Sequence, residues 1–208
     1  MRKLSLVAAT GVVGLILGSL VAFADVQTAS CRTALLVIDV QTAWLNTRAK
    51  TVDGCKIQEK IVSILELARP AGIPVIFVVD VSRRGIESER RLAVAHPIEV
   101  LESDFILEKR HKNGFILTTL EDDLHAMGIT TLLITGFASH ECVRSTVKGA
   151  LRRDFETIII EDGHSGGEGG RRATSENATW RSQGLRVIRS GKLDFATLCL
   201  PPEPEEDG

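Results

Sequence analysis

Apolar runs that do not alternate are the feature that most constrains this chain. Thr33 to Asp39 reads TALLVID, Pro74 to Asp80 reads PVIFVVD, and from Thr131 the chain reads TLLITG. A strand with one wet face alternates apolar and polar residues. A strand covered on both faces need not, and sheets covered on both faces are parallel sheets flanked by helices. Further runs at Asp104 to Lys109, Thr157 to Glu161 and Leu185 to Arg189 extend the set. Between them lie segments with helical spacing, such as Ile57, Ile61, Ile64, Leu65 and Ala68, which stop at Pro70 and Gly72. That β-α alternation predicts an α/β protein, a doubly wound three-layer α/β/α sandwich. With 208 residues and 44% apolar content there is chain enough for one such core, spanning 33 to 200.

In an open α/β sheet ligands bind beyond the carboxyl ends of the strands, so the residues that close each run matter most. The first run ends in Asp39 and the third in Lys109, and the fourth passes through a Gly turn into a helix starting near Cys142. A buried carboxylate needs a partner, and Lys109 is the candidate for Asp39. A thiol at a helix N-terminus is expected to have a lowered pKa, as a nucleophile needs. Each residue also has a plainer reading: Cys142 as a small buried hydrophobe, Asp39 as a turn cap. The connection 81–103 carries Arg83, Arg84, Arg90, Arg91 and His96, residues suited to an anionic substrate or another subunit but more often a solvated surface.

Three groups of residues fall in one order along the chain. They are Asp39-Val40-Gln41; Lys109 followed by Phe115, Thr118 and Leu120; and Gly136 followed by Cys142, Val143 and Thr146. Together they resemble the isochorismatase-like cysteine hydrolases, over roughly Thr33 to Arg189. The resemblance implies six parallel strands in the order 3-2-1-4-5-6, which sets Asp39 beside Cys142 at the switch point, with Lys109 leaning across from two strands away. It implies that Asp39 takes the proton of Cys142, that Lys109 holds Asp39 ionised, and that the thiolate attacks an amide-like carbonyl to form a thioester. The backbone N–H groups of Ala138 and Cys142 would form the oxyanion hole, Ala138 being presented by an unusual, often cis, peptide. Gln41, Trp44, Phe137 and His140 are the expected substrate-binding residues.

Other readings stay open at this point. Cys142 could pair with His140 or His164; the family's vinyl-ether hydrolysis uses the Asp without a Cys; and a binding protein could keep the fold without turnover. Metal-bearing relatives carry an Asp-x-His after the second strand, whereas VVDVSRRG leaves Asp80 without a nearby His, so neither metal nor cofactor is expected. The formal charge of −2 gives no hint of nucleic acid. A small-molecule substrate and a homo-oligomer are the expected partners.

Residues 1–24 open with Arg2 and Lys3, continue with an uncharged apolar run and close on Ala22-Phe23-Ala24, the pattern of a secretory signal peptide. Cleavage before Asp25 predicts a periplasmic or secreted protein, free of the membrane, with residues 25–32 as a polar arm. The run is also long enough to serve as an uncleaved anchor. Export exposes Cys31, Cys55 and Cys199 to oxidising conditions while Cys142 must stay free. A bridge, if formed, is expected between Cys31 and Cys199, because Cys55 starts a helix at the opposite end of the sheet. The tail 201–208, PPEPEEDG, has the composition of a disordered segment.

Local signals complete the reading. Asp53 is expected to cap the first long helix, and Thr118 with Glu121 to form a capping box. Asp162 to Gly170 is expected to be a flexible glycine-rich loop containing His164, and a helix follows from about Arg172 to Ser182. Asn177-Ala178-Thr179 matches a glycosylation sequon but lies inside that helix and is discounted.

Overall fold

Six parallel strands form one sheet in the order β3-β2-β1-β4-β5-β6. They are β1 (Thr33–Ile38), β2 (Val75–Asp80), β3 (Phe105–Lys109), β4 (Thr131–Phe137), β5 (Glu156–Ser165) and β6 (Arg186–Ile188). This computed structural model describes residues 32–45, 52–166 and 170–199. The expected signal segment 1–24, residues 25–31 of the expected arm, Cys31 with its expected bridge, residues 167–169 and the tail 201–208 lie outside the described residues. No helix among the described residues is long and apolar enough to cross a membrane.

The unbroken apolar runs are explained by the two layers that cover the sheet. All six residues of β1 are buried. Leu36 and Ile38 face one core with Leu124, Val147 and Trp180, while Leu35 and Val37 face the other with Ile57, Ile61 and Ile64. The first core is roofed by α4 (Leu120–Ala126), α5 (Arg144–Leu151) and α6 (Arg171–Ser182), the second by α2 (Val52–Ala68). Two single-turn helices, α1 (Thr42–Leu45) and α3 (Glu89–Leu92), occupy the connections after β1 and β2.

Three local expectations change. Asp53 lies inside α2, which already begins at Val52, so it does not precede the helix as a cap. The capping box does not form: the N-cap of α4 is Thr119, with no side-chain cap hydrogen bond. Thr118 instead donates to Gly114 O at 2.6 Å, and Glu121 pairs with Arg153 at 2.5 Å. The supposed glycine loop is strand as far as Ser165. Ile134 pairs with Ile159 but Gly136 with His164, so β5 bulges between them, and Thr135 donates its hydroxyl to Gly163 O within the bulge. Glycine content alone did not reveal that this segment has a strand to pair with.

Candidate active site

The register at the carboxyl edge assembles the site. Ile38 pairs with Val78 on one side and with Gly136 on the other, so Asp39 emerges beside both neighbouring strands. Gly136 has φ +128°, and a Cβ there would fall 2.1 Å from Ile38 O, so only glycine lets β4 run this close to β1. Asp39 itself has φ +51°, in the left-handed region that Asp tolerates better than most residues. Its N–H donates to Val78 O at 2.9 Å, which fixes the turn.

Lys109 pairs in register with Asp80, the last residue of β2. Strands spaced about 4.8 Å apart put β3 about 10 Å from β1, a gap that a lysine stem and an aspartate side chain can close together. They do: Lys109 Nζ donates to Asp39 Oδ2 at 2.8 Å, and their side chains are 0% and 4% exposed. Asp80 Oδ2 lies 4.0 Å from the same ammonium. Asp39 Oδ1 is buried without a hydrogen-bond partner, and the Cys142 thiol acts on the carboxylate from across the same cavity. Asp39 and Cys142 line one cavity of about 330 Å³ with Trp44, Asp80, Arg110 and Phe137. A second lobe of about 210 Å³ shares the Trp44, Phe137, Ala138 and Glu141 wall and adds Arg83 and Arg91.

Burial sets the protonation states. It pushes the Asp39 carboxyl up, only partly opposed by Lys109, to about 6. Burial pulls the Lys109 ammonium down, but Asp39, Cys142 and Asp80 together hold it above its ordinary value. The Cys142 thiol is pushed up to about 12 by burial and then by the adjacent Asp39 charge, against the pull of Lys109. The expected lowering of the thiol pKa by a helix N-terminus is thereby overturned. Cys142 stands in a five-residue π-helical turn, Ser139–Val143, ahead of α5, and beside a carboxylate. Its proton must be taken by a base.

The remaining predicted residues divide. Phe137, Ala138 and Trp44 line the cavity, and the Phe137-Ala138 peptide is cis. Gln41 does not reach the wall. It is fully buried; its Nε2 donates to Asp80 O (3.0 Å) and Leu92 O (2.6 Å), and its Oε1 accepts from Asp80 N (2.7 Å) and Trp44 Nε1 (3.3 Å). With its polar atoms so engaged it clamps β2 and Trp44 in place. His140 also leaves the cavity wall: it packs at Gly166, where a Cβ would lie 2.8 Å from His140 Nδ1. The charged groups acting on the Cys142 thiol are Asp39, Lys109 and Asp80, with no histidine among them.

Several motif residues work behind the site. Gly114 N donates to Thr146 Oγ1 at 3.0 Å and Gly114 O accepts from Thr118, so two threonines fasten the segment after Lys109 to α5 and α4. Asp80 was passed over in the sequence because only its metal-binding value was weighed; the register with Lys109 gives it a place at the site. Among the described residues no three His, Cys, Asp or Glu side chains are grouped to hold a metal ion.

A doubly wound sheet with a carboxylate, an ammonium and a thiol at its switch point defines a class, the α/β cysteine hydrolases. Consistent with it, the isochorismatase domain model matches residues 33–189, and the chain belongs to the isochorismatase family of hydrolases. The uncharacterized isochorismatase family protein YrdC of Bacillus subtilis is 30% identical over 133 residues, covering 62% of this chain and 71% of that protein. A protein of Arabidopsis thaliana named a probable inactive nicotinamidase is 32% identical over 151 residues, covering 62% and 77%. Among solved structures, N-carbamoylsarcosine amidase from Thermoplasma acidophilum superposes with a TM-score of 0.68 at 26% identity, over 78% of this chain and 99% of that one.

Proposed function

We propose that the protein is an exported cysteine hydrolase that cleaves an amide-like C–N bond of a small molecule through a thioester on Cys142. The observation that carries this is the buried Lys109–Asp39 pair opening onto the same cavity as the thiol. A carboxyl near 6 lies close to neutral pH, which suits a general base, and a thiol near 12 makes little thiolate unaided. As Sγ attacks the carbonyl carbon, the thiol proton passes to Asp39, and the carbonyl oxygen takes up negative charge facing the backbone N–H groups of Ala138 and Cys142. The C–N bond then breaks and Asp39 returns its proton to the leaving nitrogen. Water, deprotonated by Asp39, hydrolyses the thioester and restores the thiol. Lys109 stays charged throughout and offsets the charge that moves between Asp39 and sulfur.

The amidase among the structural relatives supports amide chemistry, and the step sequence asks for no metal or cofactor. The test is intact mass spectrometry of the protein with an amide library, comparing wild type with Asp39→Asn. A Cys142 acyl adduct is expected on the wild type and is expected to be missing from Asp39→Asn, whose thiol has lost its base; adducts on another residue, or hydrolysis that chelators abolish and zinc or iron restores, overturn the reading. Export is tested by N-terminal sequencing of the exported fraction, where a chain beginning at Asp25 is expected and a retained Met1 in the membrane pellet contradicts it. Homo-oligomerisation is read by sedimentation, a monomer at all concentrations counting against it.

A second reading, a binding protein without turnover, takes its support from the relative named inactive. It predicts that ligands bind and no acyl adduct ever forms.

A further inference from the structure

Behind Cys142, on the side away from Lys109, lies a second buried polar chain that the steps above leave unused. Ser139 Oγ is 2.8 Å from His164 Nδ1, and His164 Nε2 is 2.9 Å from Asn177 Oδ1. Asn177 Nδ2 donates to Glu161 O at 3.1 Å. All three residues are buried, Ser139 completely, and Trp180 presents its ring edge-on to the imidazole at 5.1 Å.

The hydrogen bonds settle the direction of the chain. Because the Asn177 amide nitrogen is spent on Glu161 O, the atom facing His164 is an acceptor, so Nε2 carries the imidazole proton. Nδ1 is then bare and accepts the Ser139 hydroxyl. One tautomer satisfies every member, and burial, which pulls His164 down to about 4, keeps the ring neutral at working pH. A sequon at Asn177 is of no use here, since the amide is inside.

The chain joins three elements. His164 is the residue of β5 that pairs with Gly136 after the bulge, Asn177 lies on α6, and Ser139 opens the π-helical turn that holds Cys142 three residues later. Ser139 also directly follows Ala138, whose O accepts from Glu141 N at 2.9 Å and Val143 N at 3.3 Å. The Ser139–His164 hydrogen bond ties this turn to β5.

We infer that Ser139, His164 and Asn177 form a positioning relay that sets the π-helical turn so that the Cys142 thiol meets Asp39. The relay rests on the proposed role of Cys142. None of its members touches substrate; His164 serves as a neutral bridge rather than as a base, which separates it from the Cys-His dyads considered above.

The test measures the rate at which iodoacetamide alkylates Cys142 in the free protein, by intact mass with Cys142→Ala as the control for the other cysteines, together with kcat and KM on a substrate that is turned over. Ser139→Ala is expected to slow alkylation and lower kcat by about tenfold to a hundredfold while KM changes less than about twofold, the loss that a small misplacement of a reacting group produces. Ser139→Thr, which keeps the hydroxyl, is expected to restore most of both. Alkylation and kcat within about twofold of wild type in Ser139→Ala overturn the relay, as does Ser139→Thr being as impaired as Ser139→Ala. Should Ser139→Ala fail to fold, His164→Asn keeps an acceptor towards Ser139 and His164→Leu removes it; equal losses in the two overturn the relay, and a smaller loss in His164→Asn supports it. Alkylation needs no substrate, so the two proposals fail separately. A slowed thiol in a protein that turns over no amide keeps the relay and removes the amide reading, and an unchanged thiol removes the relay whatever is hydrolysed.

Discussion

Adjacent residues of β3 carry the same kind of ion pair on opposite faces of one strand. Glu108 holds Arg84 through hydrogen bonds of 2.9 and 2.7 Å, with side chains 48% and 41% exposed. Lys109 holds Asp39 at 2.8 Å with both side chains inside. The separations are alike and the consequences are not. Water screens the outer pair, so it has little to lose or give. For the inner pair, removal from water outweighs the attraction on the acid side, and Asp39 is left titrating near 6 instead of near 4. Burial turns an ordinary pair into a base with a useful pKa, and the comparison can be broken at either member.

The largest effect is expected nearest the thiol. Cys142→Ala should abolish hydrolysis, a loss of roughly 10³-fold or more of the kind seen when one member of a covalent set is removed, with the fold retained because Ala fits a small site. Asp39→Asn should do nearly as much, since a thiol near 12 then has no acceptor for its proton. Rates on one substrate decide: a fully active Cys142→Ala enzyme with an inactive Asp39→Asn would be the vinyl-ether pattern and would end the thioester mechanism.

Next comes the inner cation. Lys109→Met keeps the volume of the stem, removes the opposite charge and should push the Asp39 pKa above its present value of about 6. Turnover at neutral pH should fall by roughly 10²-fold or more, and what survives should rise towards alkaline pH as Asp39 ionises. Stability follows the same sign. A folded-state pKa raised above the unfolded value contributes stability that is complete below the unfolded pKa and is lost as pH rises through the folded one. Lys109→Met should therefore melt closer to wild type at pH 5 than at pH 8; the reverse order would mean that Asp39 is not the group left uncompensated.

Both ends of the inner pair were legible in the sequence because each closes an apolar run, and a charge in that place has to be answered. Their meeting was legible only through the strand order that the resemblance supplied. Gln41 was misplaced because pattern puts a residue near a site, but only side-chain bonding shows whether it points into the cavity or is consumed behind it. His164 was hidden by its glycines. A segment reading Asp-Gly-His-Ser-Gly-Gly has the composition of a loop, and the bulge that returns it to β4 depends on Thr135 and Gly163, which are distant in sequence. The thiol pKa could not be read from the chain, since its direction depends on how deeply Asp39 and Cys142 are buried together.

A smaller change should sharpen the comparison by adjusting the inner pair without breaking it. Asp80 lies 4.0 Å from Lys109 Nζ and its charge raises the Asp39 pKa, as the last of the contributing causes. Asp80→Asn keeps an oxygen able to accept from Ser82 N, which Asp80 Oδ1 now does at 2.7 Å. Removing the like charge favours ionised Asp39, so the acid limb of kcat/KM, expected near pH 6, should move to lower pH with the plateau largely kept. A pH–rate profile of the variant checks it, and a limb that moves upward or stays would remove Asp39 as the base.

The smallest effect is expected on the outer pair, and it is the control the comparison needs. The Arg84 and Glu108 side chains are both partly exposed, and neither lines the cavity. Arg84→Ala deletes two well-formed hydrogen bonds where Lys109→Met removes the single bond to Asp39, yet water can replace both at once. Melting temperature, kcat and the acid limb should all stay at their wild-type values. If Arg84→Ala instead shifted the limb as Asp80→Asn does, the charge on the far face of β3 would be reaching Asp39, and burial would not be what distinguishes the two pairs.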